Sequence, residues 1–425
     1  MRVLHVNATS HIGGAARAMQ RLHTALKNQG HESKFLVSRS RFPEDPAVHL
    51  IWNEIKSIQS FSDRVKSRIG NQIEKWIGFH PWSNTATLRI HQTPLIAWAD
   101  VIDLRNLFGG FINLGMLPEL SREKTLVWRM PDLWAATGHC AYPYDCERWI
   151  TGCYDCPLLT TAGRKKVEPP ATVLDGSNWV WKNKQDIYAR SRIHIIVTTE
   201  WMRSQVSKSI LKNALSIHVI SNGVNLNIFK PAERDIARRK LDLPPDKKIL
   251  LWAAGGLGNY RKGYHLAVKA METIQAEVDP PPLFLTMAGE EGWDKPDQLK
   301  DVRHLGYIKE AEKQALVYSA ADGFICSTLA DGQPQTALES IACGTPVIAF
   351  DLGPMPELVI PGKTGYLAGQ PTAEALQETI QDVLADEPNQ AKLHENCRQK
   401  ALREFDLDEQ TRKYIEVYQE LFAQK

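Results

Sequence analysis

The chain has 425 residues, too many for one ordinary core and enough for two domains of about 200 residues each. Its 43% hydrophobic and 24% charged residues match a globular protein, and a net charge of +2 gives no reason to expect a nucleic-acid partner. No apolar run approaches the roughly 18 residues that cross a bilayer. The amino terminus MRVLHVNATS reads as a strand, without the long apolar stretch and cleavage site of a signal peptide. The expected location is the cytoplasm, at most at the inner face of the plasma membrane.

Short apolar strands are expected at 3–7, 34–38, 99–103, 125–128, 194–198, 217–220, 248–253, 283–288, 323–326 and 347–350. Most precede amphipathic segments such as 16–28 and 265–275. This alternation predicts an α/β protein with parallel sheets covered by helices, which bind ligands at the carboxyl ends of the strands. The seam is expected near 216–231. That places an amino domain at 1–218, with a cysteine-rich loop at 139–157, and a carboxyl domain at 219–402. A terminal segment, 403–425, carries Tyr414, Val417, Tyr418 and Leu421 as one helical stripe.

After the first strand, Gly13-Gly14 lead into a helix, and paired glycines let a backbone approach a phosphate or carboxylate. The third glycine of the dinucleotide pattern is missing, and no acid ends the second strand, which argues against a dehydrogenase. Residues 51–82 mix Ile, Phe and Trp with Lys and Arg at helical spacing. They read either as a peripheral membrane-surface helix or as a helical insert packed on its own domain.

Four of the seven cysteines, Cys140, Cys146, Cys153 and Cys156, fall in one segment at intervals of five, six and two residues. Four thiolates suffice for a tetrahedral structural zinc, with His139 as a spare ligand. Free thiols in a packed loop and an iron–sulfur cluster are the alternatives.

In the second half, a strand ends at Ala253-Ala254 and a glycine loop presents Arg261 and Lys262 ahead of a helix. Basic residues are unfavourable at the positive end of a helix, so their placement there suits a diphosphate leaving group. Further on, Asp331 opens a loop, Gly332 and Pro334 hold the backbone open, and Glu339 follows eight residues after Asp331 on a helix. Gln333 lies in that loop, and Gln335-Thr336-Ala337 offer the first free amides of the helix. A nucleotide-sugar fits there with its sugar near Asp331 and its ribose near Glu339. The competing assignment is a capping box, Thr336 with Glu339. Asp406-Leu-Asp408 more plausibly caps the terminal helix than binds metal.

These motifs (GGAAR, NGV with FKP, RKG, LGYI and the Asp331–Glu339 block) resemble in order those of glycosyltransferase family 4. The segment WRMPDLWAATGHC is similar to one in a bacterial exopolysaccharide-assembly subgroup. The resemblance implies a GT-B fold, with two Rossmann-like doubly wound parallel-sheet domains facing a cleft and a terminal helix crossing back to the amino domain. It implies a retaining, divalent-metal-independent hexosyltransferase that needs no cofactor for catalysis. The donor is a nucleotide-sugar, expected to be a UDP-sugar such as UDP-glucose, and the acceptor is a hydroxyl of a glycan or lipid-linked glycan. By resemblance Lys262 contacts the diphosphate, Glu339 holds the ribose, and Thr336 and Ala337 bind phosphate. Tyr307 and Ile308 line the base, and Gly14 and Ala15 face the phosphates.

Three departures stand out. Asp331 replaces the usual Glu, and Gly256 replaces an arginine, whose role Arg261 is expected to take over. Asp103, Arg105 and Pro131 stand where histidines are expected, leaving Asp132 as the nearest polar group for the donor sugar. The alternative functions are a non-transferring, epimerase-like GT-B enzyme and a catalytically weak nucleotide-sugar-binding subunit.

Overall fold

The computed structural model describes residues 1–10, 14–63, 66, 84–160, 163, 166, 168, 172–255, 258–288, 299–386 and 389–424. The chain divides into two compact units, 1–220 with 410–425, and 221–409.

The first unit is built on seven strands: β1 (Arg2–Thr9), β2 (Glu32–Arg39), β3 (Val48–Leu50), β4 (Val101–Leu104), β5 (Thr125–Arg129), β6 (His194–Val197) and β7 (Ser216–Val219). Their order is β3-β2-β1-β4-β5-β6-β7, and every pairing is parallel. Successive side chains of a strand point to opposite faces. Leu4, Val6, Ile102, Leu126 and Ile195 accordingly enter one core, and Val3, Val101, Val127 and Ile196 enter another. Leu22 and Leu26 of the Gly14–Asn28 helix close the second face. So do Tyr414, Tyr418 and Leu421 of the Leu407–Ala423 helix, and Arg129 Nε donates to the Tyr414 hydroxyl at 2.8 Å. Asp406 Oδ1 accepts the amides of Asp408 and Glu409, capping that helix through side-chain-to-backbone bonds.

The second unit carries β8 (Ile249–Ala254), β9 (Leu283–Ala288), β10 (Val302–His304), β11 (Gly323–Cys326), β12 (Val347–Phe350) and β13 (Gly365–Ala368). The order β10-β9-β8-β11-β12-β13 is again all parallel. Ile249, Leu251 and Ala253 bury on one face, and Leu250 and Trp252 on the other. In both sheets the first strand lies between the second and the fourth. The order therefore reverses direction beside it, and in doubly wound sheets ligands bind at the carboxyl ends flanking that reversal. In the second unit the two flanking strands are β8 and β11.

Of residues 51–82, the described part begins with a helix, Ile51–Glu54, and a 3-10 turn, Ile55–Ser57. Ile51 and Ile55 are buried in the first core, as expected of an insert packed on its own unit. Residues 64–65 and 67–83 lie outside the described residues. Among the described residues no helix is long and apolar enough to cross a membrane.

Candidate functional site

The loop after β8 makes a 3-10 turn, Tyr260–Lys262, started by Asn259, whose side chain accepts from the Arg261 amide. Gly263 follows at φ 64°, and a Cβ there would stand 1.9 Å from the Ser327 carbonyl oxygen. Only glycine supplies both the left-handed backbone and the close approach. The turn is stitched to the segment after β11: Leu329 N donates to Arg261 O at 2.7 Å, and Ser327 Oγ to Lys262 O at 3.0 Å.

This stitching brings three of the expected residues together. Asp331 Oδ2 accepts from Arg261 Nη1 and from Lys262 Nζ, both at 2.8 Å. Asp331 Oδ1 accepts the Gln333 amide at 3.2 Å, so both carboxylate oxygens already have partners. The Asp331 side chain is 14% exposed. Burial pushes its pKa up, but Lys262 and Arg261 outweigh that and hold it down to about 2. Two cations against one carboxylate leave the cluster with a net positive charge. Asp331 thus positions the two cations, a task the sequence did not disclose.

The Gln335–Ala342 helix starts four residues after Asp331. Pro334 occupies the N-cap position without a side-chain cap. The Gln335 and Thr336 amides have no backbone partner among the described residues, whereas the Ala337 amide donates to Pro334 O at 3.1 Å. The expected run of three free amides is therefore two. The Thr336–Glu339 capping box does not form, because Thr336 lies inside the helix and Glu339 is buried, accepting from Tyr318 Oη at 3.4 Å. Gly332 is buried. Gln333 uses its side chain within the unit: its oxygen accepts from Asn222 N at 2.7 Å and its nitrogen donates to Ser221 Oγ at 2.8 Å. Gln335 Nε2 reaches Gly223 O at 3.4 Å. Tyr307 is 54% exposed, while Ile308 is buried in the core, so of the two only the tyrosine side chain is open to solvent. Gly256 lies outside the described residues.

In the first unit, Gly14 and Ala15 open the Gly14–Asn28 helix after β1, while Gly13 lies outside the described residues. Asp132 is buried, and its Oδ1 accepts the Trp134 amide at 2.9 Å. Asp103 is fully buried and accepts from His5 Nδ1 at 2.6 Å and Arg105 Nε at 2.8 Å. Burial lowers the His5 pKa despite that acid.

The four clustered cysteines are free thiols lining one pocket with His139, Trp149 and Tyr154. Burial raises the Cys140 thiol well above its ordinary value, and Cys153, Cys156 and Cys146 add to the rise. Burial likewise pushes Cys153 up to about 12. Among the described residues no three His, Cys, Asp or Glu side chains already stand together as metal ligands.

Residues 233–401 match the family model of glycosyl transferases group 1. That match supports a glycosyltransferase, and it spans the residues from the Lys262 turn to the Asp331–Glu339 block. The D-inositol 3-phosphate glycosyltransferase of Mycolicibacterium smegmatis is 30% identical over 207 residues, 46% of this chain and 46% of that protein. The glycogen synthase of Mycobacterium tuberculosis is 25% identical over 422 residues, 93% of this chain and 88% of that protein. The chain spans about half the length of the first curated relatives it matches, 51% and 56%. Sucrose-phosphate synthase from Thermosynechococcus elongatus superposes with a TM-score of 0.66 at 18% identity, covering both chains fully. Anabaena Alr3699/HepE in complex with UDP-glucose gives 0.63 at 15% identity, over 99% of this chain and 100% of that one. With the two parallel sheets, these neighbours establish the GT-B fold.

Proposed function

We propose that the chain is a retaining, divalent-metal-independent hexosyltransferase of glycosyltransferase family 4. It moves a hexose from a nucleotide-sugar, UDP-glucose in the first instance, to a hydroxyl of a glycan or lipid-linked glycan in polysaccharide assembly. The supporting observation is the Arg261–Lys262–Asp331 cluster beside the two free amides of the Gln335–Ala342 helix, at the carboxyl ends of β8 and β11. A net positive cluster beside a helix start suits an anionic diphosphate. The neighbour solved with UDP-glucose supports the choice of donor.

In this mechanism the bond from the anomeric carbon to the diphosphate oxygen breaks first. Lys262, Arg261 and the Gln335 and Thr336 amides stabilise the charge developing on the leaving group. The acceptor oxygen attacks on the departing face, and its proton passes to a phosphate oxygen. Glu339 holds the ribose and Tyr307 covers the base. Asp331 holds both cations in place while the donor sugar lies beside it.

A thermal-shift screen with UDP-, GDP- and ADP-glucose tests the reading. A cognate donor at 100 times its dissociation constant stabilises by about 2.7 kcal/mol. No shift with any nucleotide-sugar would remove the donor site. Turnover should survive EDTA, and a loss restored by magnesium would contradict metal independence.

A further inference from the structure

The cysteine loop takes no part in the chemistry above, yet it is built with care. Residues 138–160 contain only two short 3-10 turns, Arg148–Ile150 and Pro157–Leu159, so little regular structure holds them in place. Three residues without a glycine's freedom, Tyr144, Cys153 and Asp155, have left-handed backbones there, at φ 51°, 50° and 46°. Such conformations persist where the surroundings over-determine them. The loop is pressed against the Ser177–Ala189 helix so closely that a Cβ on Gly138 would meet Ser177 O at 2.2 Å and Cys153 Cβ at 2.9 Å.

The sulfurs are also supplied with donors. Cys153 Sγ accepts the Gly138 amide at 3.1 Å. Cys156 Sγ accepts from the amides of Leu158 and Leu159, two and three residues on. Backbone amides aimed at sulfur favour the thiolate.

A second, independent observation concerns charge. Lys184 of the adjoining helix is fully buried, and its ammonium donates to the carbonyls of Trp134 at 2.6 Å and Thr137 at 2.9 Å. It lies 3.8 Å from the centre of the Trp134 ring. Among the described residues no carboxylate is paired with it. Burial acts on it most strongly and pulls its pKa down to about 7, with Cys153, Cys140 and Asp132 acting in the opposite direction. A buried cation is costly unless paired, and four neutral thiols do not pair it. Arg148 lines the same pocket.

We propose that Cys140, Cys146, Cys153 and Cys156 bind one Zn2+ as a tetrathiolate, with Lys184 as its buried counter-charge. The zinc displaces four thiol protons to solvent, and the centre carries a net charge of 2−, which Lys184 and Arg148 offset. The thiol side chains turn inward as the ion binds, and the loop gains the staple that its scant secondary structure does not provide. Lys184 is a positioning residue and touches neither substrate nor reacting atoms.

The full chain, purified under reducing conditions, is tested by elemental analysis and by cobalt titration after the metal has been stripped. About one zinc per chain is expected, with a thiolate-to-cobalt charge-transfer band that saturates at one equivalent and is abolished by zinc. Cys146→Ser removes a partly exposed ligand and should lose most of the zinc, with folding checked by near-ultraviolet circular dichroism. Lys184→Met keeps all four thiols and should bind zinc about 10–100-fold more weakly, as outer-shell changes do. Less than a tenth of an equivalent of zinc with no charge-transfer band in the wild-type protein would overturn the proposal. So would iron in place of zinc, disulfides among the four cysteines in the reduced preparation, or unchanged zinc affinity in a folded Lys184→Met variant, which would remove Lys184 from it.

Discussion

Replacing Lys262 with methionine keeps the aliphatic stem and deletes one charge from the cluster. Arg261 and Lys262 both bond to Asp331 Oδ2 at 2.8 Å, so the cluster falls from a net +1 to neutral. One elementary charge about 5 Å from the leaving oxygens, at an effective dielectric constant of about 20, is worth about 3 kcal/mol. That is roughly a 150–300-fold loss of turnover, the range found when a single oxyanion donor is removed. Folding should suffer less, because Asp331 keeps Arg261 and the Lys262 side chain is already 23% exposed. A destabilisation of about 1–2 kcal/mol is expected for one charge-assisted bond. Initial rates of nucleoside-diphosphate release at saturating donor and acceptor, beside a urea titration, separate the two effects. A folded K262M protein that turns over within threefold of wild type would refute the leaving-group role.

Asp331→Asn tests the same cluster through pH. The Asp331 pKa is depressed to about 2 in the folded chain from an ordinary 3.8, a difference worth about 2.5 kcal/mol of stability above pH 4. The stability gap between wild type and D331N, read by urea unfolding, should therefore shrink as pH falls from about 4 toward 2; a gap independent of pH would contradict the pairing. Gly263→Ala combines a left-handed backbone with a Cβ 1.9 Å from Ser327 O, and should cost at least about 3 kcal/mol, or about 6–12 °C in melting temperature. Arg238→Met removes a partner 2.9 Å from the buried Asp322, which retains Arg234 at 2.9 Å, so urea unfolding should show a loss of about 2–3 kcal/mol rather than the 3–5 of a fully orphaned charge.

The ten expected strands all occur, because nine of them are largely apolar runs buried on both faces of a sheet; the edge strand β7 is only half-buried. Three further strands lie outside those ten: β13, which pairs with β12, and two that local pattern does not reveal, β3 and β10. Each of these two has three residues, lies at a sheet edge and is largely half-exposed, so its strand state comes from pairing with β2 or β9 rather than from its own pattern. The same division applies to the site. Arg261, Lys262 and Asp331 each stood out from local context, since cations at a helix start and an acid beside glycine and proline are local signals. That one oxygen of Asp331 holds both cations is a contact across about 70 residues, which local sequence does not encode. The engagement of Gln333 with Ser221 and Asn222 is longer still. Glu339 looked like a helix cap because its spacing from Thr336 is right; Pro334 at the N-cap moved the helix start and turned that spacing into two positions within one helix.

The Leu407–Ala423 helix lies against residues of β1, β4, β5 and β6 through Tyr414, Tyr418 and Leu421. Proteins usually mature from the amino terminus during synthesis. Here the earliest strands wait for residues 410–424 to leave the ribosome, whereas residues 221–409 form one uninterrupted segment that can consolidate beforehand. Val3, Val101, Val127 and Ile196 then have only Leu22 and Leu26 of the Gly14–Asn28 helix over them, which makes the nascent first unit the stage most exposed to aggregation and to chaperone capture.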